Sequence, residues 1–222
     1  MKKFFILLLL AISSASFAQV TKNIGDFKDL KVYDRITVYL VKSDVNKVEI
    51  TGKRSNEVQL VNSNGTLKVK MQFGKLLQGD DIEARVHYKV LESVDASEGS
   101  MISSENVIAQ DEFEINAKEG SQVTLNVEVN DLEVRAVTGA IVSLKGRTDE
   151  LDATLGTGGE LKAKALVATK AEVAIRAGGQ AEVYATDRIE TDIKAGGDIV
   201  VYGNPAKVSE KASLGGTVTI KK

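Results

Sequence analysis

A glycine recurs through the second half of the chain at a nearly fixed interval. Gly99, Gly120, Gly139, Gly158, Gly178, Gly196 and Gly215 stand 18 to 21 residues apart. A small residue follows each one: Ser100, Ser121, Ala140, Gly159, Gly179, Gly197 and Gly216. A period near twenty marks a solenoid, in which one supersecondary unit stacks on the next copy of itself. The flanking residues fall into columns. Three before the anchors stand Ala96, Ala117, Ala136, Leu155, Ile175, Ile193 and Ala212, and three after stand Ile102, Val123, Val142, Leu161, Ala181, Ile199 and Val218. Further apolar columns lie five and seven before and five after, so they alternate with polar positions at the two-residue period of a strand. The column five before ends in Glu210, in the last and least regular rung.

Each repeat therefore holds two short strands with one face inward, bent sharply at the glycine. Columns that repeat in one chain direction require parallel stacking, and crossovers between parallel strands are overwhelmingly right-handed. The fold class predicted is all-β: a right-handed parallel β-helix of about 19–20 residues per rung over residues 91–222. A flattened two-sided roll is the alternative. Val107-Ile108, Val127-Glu128-Val129 and Leu166-Val167 suggest a third strand face, and Gly146-Arg147-Thr148 and Gly203-Asn204-Pro205 are expected to be loops. Residues 19–90 have another texture, with short alternating runs such as Ile36-Thr-Val-Tyr-Leu40 separated by turn signals. Asn64-Gly65 between two such runs is a strong hairpin signal. This hairpin-rich region is expected to cap one end of the coil, where bare strand edges would otherwise invite end-to-end self-association. Residues 74–81 break the pattern and are read as a connector, with a mobile loop at a functional edge as the alternative.

Residues 1–18 have the layout of a signal peptide. Lys2 and Lys3 precede a nine-residue apolar run, and Ser16-Phe17-Ala18 supplies small residues for cleavage. A run that short does not span a bilayer, which needs about 20 apolar residues. No cysteine follows it, so lipoprotein anchoring is not expected, and no later segment is apolar enough for a transmembrane helix. The expected address is outside the cytoplasm: periplasm, outer surface or medium. With no Cys in the chain, stability there rests on burial and backbone hydrogen bonds rather than disulfides. The net charge of −2 at pH 7, −4 once Lys2 and Lys3 leave with the leader, argues against nucleic acid or anionic lipid as a partner, since both would call for a basic stripe.

Little in the chain suggests catalysis. His87 is the one histidine, placed opposite Val86 and Tyr88 on a strand and expected at the surface. No Gly-x-Ser-x-Gly elbow occurs, and the Gly-Gly pairs recur with the rung period, as corners do. One polar column stands out six residues before the anchors: Glu114, Glu133, Asp152, Glu172 and Glu190. In register these carboxylates stack about 4.8 Å apart. Three readings compete: a solvated ladder relieved by Arg135, Lys194 and Lys211, a calcium site built from hard oxygen ligands, and a carbohydrate-active groove with paired carboxylates. Tyr184 and Tyr202, each six residues after its anchor, are expected to stack on neighbouring rungs and offer a surface to a sugar ring.

Taken in order, Phe27-Lys-Asp-Leu-Lys-Val32, Ile36-Thr-Val-Tyr-Leu40, Val48-Glu-Ile-Thr-Gly52, Asn64-Gly-Thr-Leu-Lys-Val69 and the glycine-anchored repeats resemble the bacterial family "putative auto-transporter adhesin, head GIN domain". The likeness spans nearly the whole chain after the leader, as one domain over residues 27–220. It implies an exported right-handed β-helix protein of a kind typical of Bacteroidetes. Its motifs are structural, and no translocator barrel accompanies them. The function expected is a non-catalytic binding or scaffold module, adhesin-like, contacting a glycan or protein of the cell envelope. The alternative is a polysaccharide-active β-helix enzyme using the stacked carboxylates.

Overall fold

The computed structural model describes residues 20–221; the leader read at residues 1–18 lies outside them. In chain order the strands are β1 (Val20–Asn23), β2 (Asp29–Val32), β3 (Thr37–Lys42), β4 (Lys47–Thr51), β5 (Val58–Ser63), β6 (Thr66–Met71), β7 (Glu83–Tyr88) and β8 (Ser93–Ala96). Then come β9 (Met101–Ala117), β10 (Gln122–Val137), β11 (Ile141–Gly156), β12 (Gly159–Ile175), β13 (Gly179–Ala195), β14 (Asp198–Tyr202), β15 (Lys207–Leu214) and β16 (Thr217–Ile220). All sixteen join one continuous sheet wound into a parallel β-solenoid of about seven turns.

The columns read from sequence are its interior. Phe113, Leu132, Leu151, Ala171 and Ile189 pair rung to rung, as do Ile102, Val123, Val142, Leu161, Ala181 and Ile199, and all are at most 4% exposed. Burying each Val, Leu or Ile side chain contributes about 1.5–3 kcal/mol. The corners are two-residue turns. Glu119 and Gly120 sit at φ 56° and 71°, and the Ser121 N–H donates to the Lys118 carbonyl at 3.2 Å. Positive φ at both central residues marks a type I′ turn, and Glu98-Gly99 and Thr138-Gly139 repeat it.

Two sequence expectations change. The third strand face forms as expected, but without a loop at Gly146-Arg147-Thr148: β9 to β13 run on for 16 or 17 residues through their bends, and that segment lies inside β11. A glycine there is needed because an added Cβ would meet the Val127 carbonyl of the rung below at 2.1 Å. Gly203-Asn204-Pro205 is a loop, as expected. Parallel stacking also begins well before residue 91. β2 and β3 form a rung with its own corner, Asp34-Arg35 at φ 62° and 63°. This rung pairs in parallel with β8 and β9 on one side and with β6 and β7 on the other. It went unseen because its corner lacks glycine. The β5–β6 hairpin at Asn64-Gly65 forms as expected, and β1, β4 and β5 pair antiparallel at that end of the stack.

Candidate functional site

The acidic column is in register throughout. Glu114 pairs with Glu133, Glu133 with Asp152, Asp152 with Glu172, and Glu172 with Glu190. The first four face solvent and Glu190 is half-buried. The inward columns on either side turn all five outward together.

A second carboxylate column runs beside it, two residues earlier on each rung: Glu112, Asp131 and Glu150, also in register. Sequence reading missed this column, although eight residues before the anchors is a position in the same alignment. Its sign reverses on the next rungs, at Lys170, Arg188 and Lys207, and that break hid it as a pattern. Glu114, Glu133 and Asp152 of the first column and all three carboxylates of the second line a groove of about 780 Å³ that also takes in Asp29, Glu92 and Asp111, while Glu172 and Glu190 lie outside it. No basic residue lines it. Its one aromatic, Phe113, is 2% exposed and serves the core.

Relief of the ladder comes from elsewhere than expected. Arg188 meets Glu190 of the ladder at 2.5 Å, and Lys170 meets Glu150 of the second column at 2.5 Å, where that column turns basic. Lys194 instead pairs with Asp192 at 2.9 Å. Within the groove, Asn116 donates to Glu114. Among the described residues no three His, Cys, Asp or Glu side chains converge as a group fit to hold a metal ion. The ladder is a row, and a calcium cage needs six to eight oxygens around one point.

Tyr184 and Tyr202 stack on adjacent rungs, away from this groove, and both are half-buried. Tyr202 lies under two ammonium groups, Lys164 at 4.5 Å and Lys221 at 5.5 Å from the ring centre, and its hydroxyl donates to Glu182 at 3.3 Å. Tyr184 lies against Gly203, close enough that a Cβ there would come 2.7 Å from the ring. Much of both rings is thus already covered.

His87 is more enclosed than expected. Its side chain is 14% exposed, and Nε2 lies 3.5 Å from a Glu49 carboxylate oxygen. Lys47, hydrogen-bonded to Glu49 at 2.7 Å, holds that carboxyl below its ordinary value. Lys47, Glu49 and His87 thus form a small polar cluster across β4 and β7, apart from the residues that line the groove.

The family model described as "Putative auto-transporter adhesin, head GIN domain" matches residues 26–205, most of the chain. The chain belongs to this family. The GIN-domain fold is also found in solved structures. A putative adhesin from Bacteroides fragilis superposes with a TM-score of 0.86 at 18% identity, covering 94% of this chain and 98% of the other. A putative adhesin from Parabacteroides distasonis gives 0.72 at 20%, covering 92% and 97%. A putative lipid binding protein from the same species gives 0.70 at 18%, covering 92% and 96%. At these identities the likeness speaks for the GIN-domain fold alone. None of the curated proteins matches the chain.

Proposed function

We propose that this GIN-domain chain is an exported, non-catalytic, adhesin-like module whose acidic groove contacts a glycan or protein of the cell envelope. One observation carries the reading: two in-register carboxylate columns line a single groove on a rigid stack of parallel rungs. Such a surface offers evenly spaced hydrogen-bond acceptors and negative charge. It suits a ligand rich in donors or positive charge, such as an amino-sugar polymer or a basic protein loop. Export rests on the leader read at residues 1–18. Among the described residues, no helix is long and apolar enough to cross a membrane.

The groove's concavity is also the observation that favours the enzyme alternative, because a glycosidase needs two carboxylates in a cleft. Against it stand the absence of any exposed aromatic or basic residue among the lining residues.

A glycan array decides between these readings. The triple variant Glu114→Gln, Glu133→Gln, Asp152→Asn should lose at least tenfold in affinity for any hit, while Tyr184→Ala with Tyr202→Ala retains it. If the triple variant binds as the wild type does, the groove is not the contact surface. Release of new reducing ends from a bound glycan would move the chain to the enzyme class.

A further inference from the structure

One corner of the stack departs from the others. Most parallel rungs close through a two-residue turn, but β6 and β7 are joined by residues 72–82. Near its tip this loop shows three large apolar side chains to solvent: Phe73 is 94% exposed, Leu76 55% and Leu77 45%. A single exposed leucine needs no explanation, but three such side chains within five residues make a concentrated patch.

The loop is built, not slack. Asp34, fully buried, ties it to the end of β6: Oδ1 accepts the Leu77 N–H at 2.7 Å and Oδ2 the N–H of Met71, the residue before the loop, at 2.9 Å. The Gly79 N–H donates to the Asp34 carbonyl at 3.0 Å, and Arg54 donates to the Gln78 side-chain oxygen at 2.7 Å. Inside the loop, the Lys75 N–H donates to the Gln72 carbonyl at 3.0 Å. Leu77 is held at φ 60°, a left-handed conformation that disfavours a leucine. Strain of this kind persists where the surroundings over-determine it, and it concentrates at binding elements.

We infer that this tip is a membrane-interface anchor, with Phe73, Leu76 and Leu77 entering the boundary between headgroups and acyl chains of a lipid bilayer. Three features favour a bilayer over a protein partner. The apolar side chains stand exposed together on one loop and line none of the main grooves, so they suit a soft medium more than a matching edge. The backbone donors at residues 72, 75, 77, 78 and 79 already have partners within the protein, which leaves few for a shallow insertion at the headgroup level to satisfy. Finally, Lys70 precedes the patch, Lys75 stands within it, and Lys53 adjoins the Arg54 that braces it. Long cationic side chains can lay their stems along the apolar region while their heads reach phosphates. Glu57, which lies 3.9 Å from Lys75, together with Asp80 and Asp81, balances those charges, so apolar insertion rather than net charge carries the binding.

The chain contains no tryptophan, so Phe73→Trp creates a single fluorescent reporter at the tip. The test is flotation of the full chain with vesicles of phosphatidylcholine, alone or mixed with phosphatidylglycerol, alongside Phe73→Trp emission. The wild type should float with both compositions, and Phe73→Ser should weaken partitioning about tenfold. Phe73→Trp emission should shift to the blue and be quenched by brominated phosphatidylcholine. Val107→Trp, at a position in β9 that is 40% exposed, should show neither effect. Glu133→Gln should float like the wild type, which keeps this anchor separate from the groove. If the wild type stays in the aqueous phase with both compositions, the anchor is wrong and the tip is left to a protein pocket. Binding that Phe73→Ser leaves intact, or that needs phosphatidylglycerol, also overturns it.

Discussion

An added Cβ on Gly159 would lie 2.0 Å from the Ala136 carbonyl oxygen and 2.6 Å from its carbon. That backbone belongs to the neighbouring rung, so relief requires two hydrogen-bonded rungs to separate. Gly139, one corner earlier, faces open space, but its φ of 73° is one that L-residues disfavour. The same substitution thus meets two physical obstacles of different size. Gly139→Ala should cost about 1–2 kcal/mol, the usual penalty of a left-handed residue. Gly159→Ala should cost about 3 kcal/mol or more, through overpacking against backbone that cannot move alone. Urea unfolding of the two variants compares them directly, and equal losses would show that the rungs yield more readily than their spacing implies. Sequence alone ranks these glycines the other way, because the column of Gly159 also holds Ser100, Ser121 and Ala140, and the obstacle at Gly159 sits on another rung.

The rungs were legible wherever a column kept its chemical character. The inward columns hold Val, Ile, Leu and Ala over many repeats, and the acidic column holds one charge from Glu114 to Glu190. Legibility failed where one structural position changed residue type. The Asp34-Arg35 corner has the turn geometry of Glu98-Gly99 without the glycine, and the column from Glu112 through Glu150 changes sign at Lys170. The tip at Phe73 looked like a connector because only the fold reveals that it replaces a corner.

The stacked columns carry their own prediction. Glu133 faces Glu114 and Asp152 across adjacent strands, and like charges so placed repel by a few tenths to about 1 kcal/mol per pair. Glu133→Gln should therefore raise stability by about 0.5–1.5 kcal/mol at low ionic strength, with the gain shrinking as salt screens the ladder. Thermal unfolding with EDTA and then with added calcium extends the test. A solvated ladder leaves the midpoint unchanged. A calcium-dependent rise that Glu133→Gln abolishes would assign an ion to it.

The two ends of the molecule differ. β1, β4 and β5 close one end with antiparallel pairs. At the other end β15 is exposed along its whole length, with Val208 43% and Leu214 77% exposed. Glu210 pairs in register with the buried Thr191, so it occupies an inward column at the open mouth. A charge in that position obstructs stacking by another solenoid, a known means of protecting a sheet edge. Glu210→Val restores the apolar column and should produce concentration-dependent association in sedimentation velocity, beyond any shown by the wild type. If the variant sediments as the wild type does at every concentration, Glu210 is not the guard.

The rung of β2 and β3 sits between β6–β7 and β8–β9, and both neighbours come later in the chain. A chain made from its N-terminus therefore releases this rung before either partner exists, and Tyr39 waits for Ser103. From β10 onward each new rung can dock on a finished one. The order of folding thus follows position in the stack rather than order of synthesis, and the earliest rung closes only after residues well past 90 have emerged. Until then residues 29–42 form a young strand pair with unmet edges, the stretch most open to capture by a chaperone or a wrong partner.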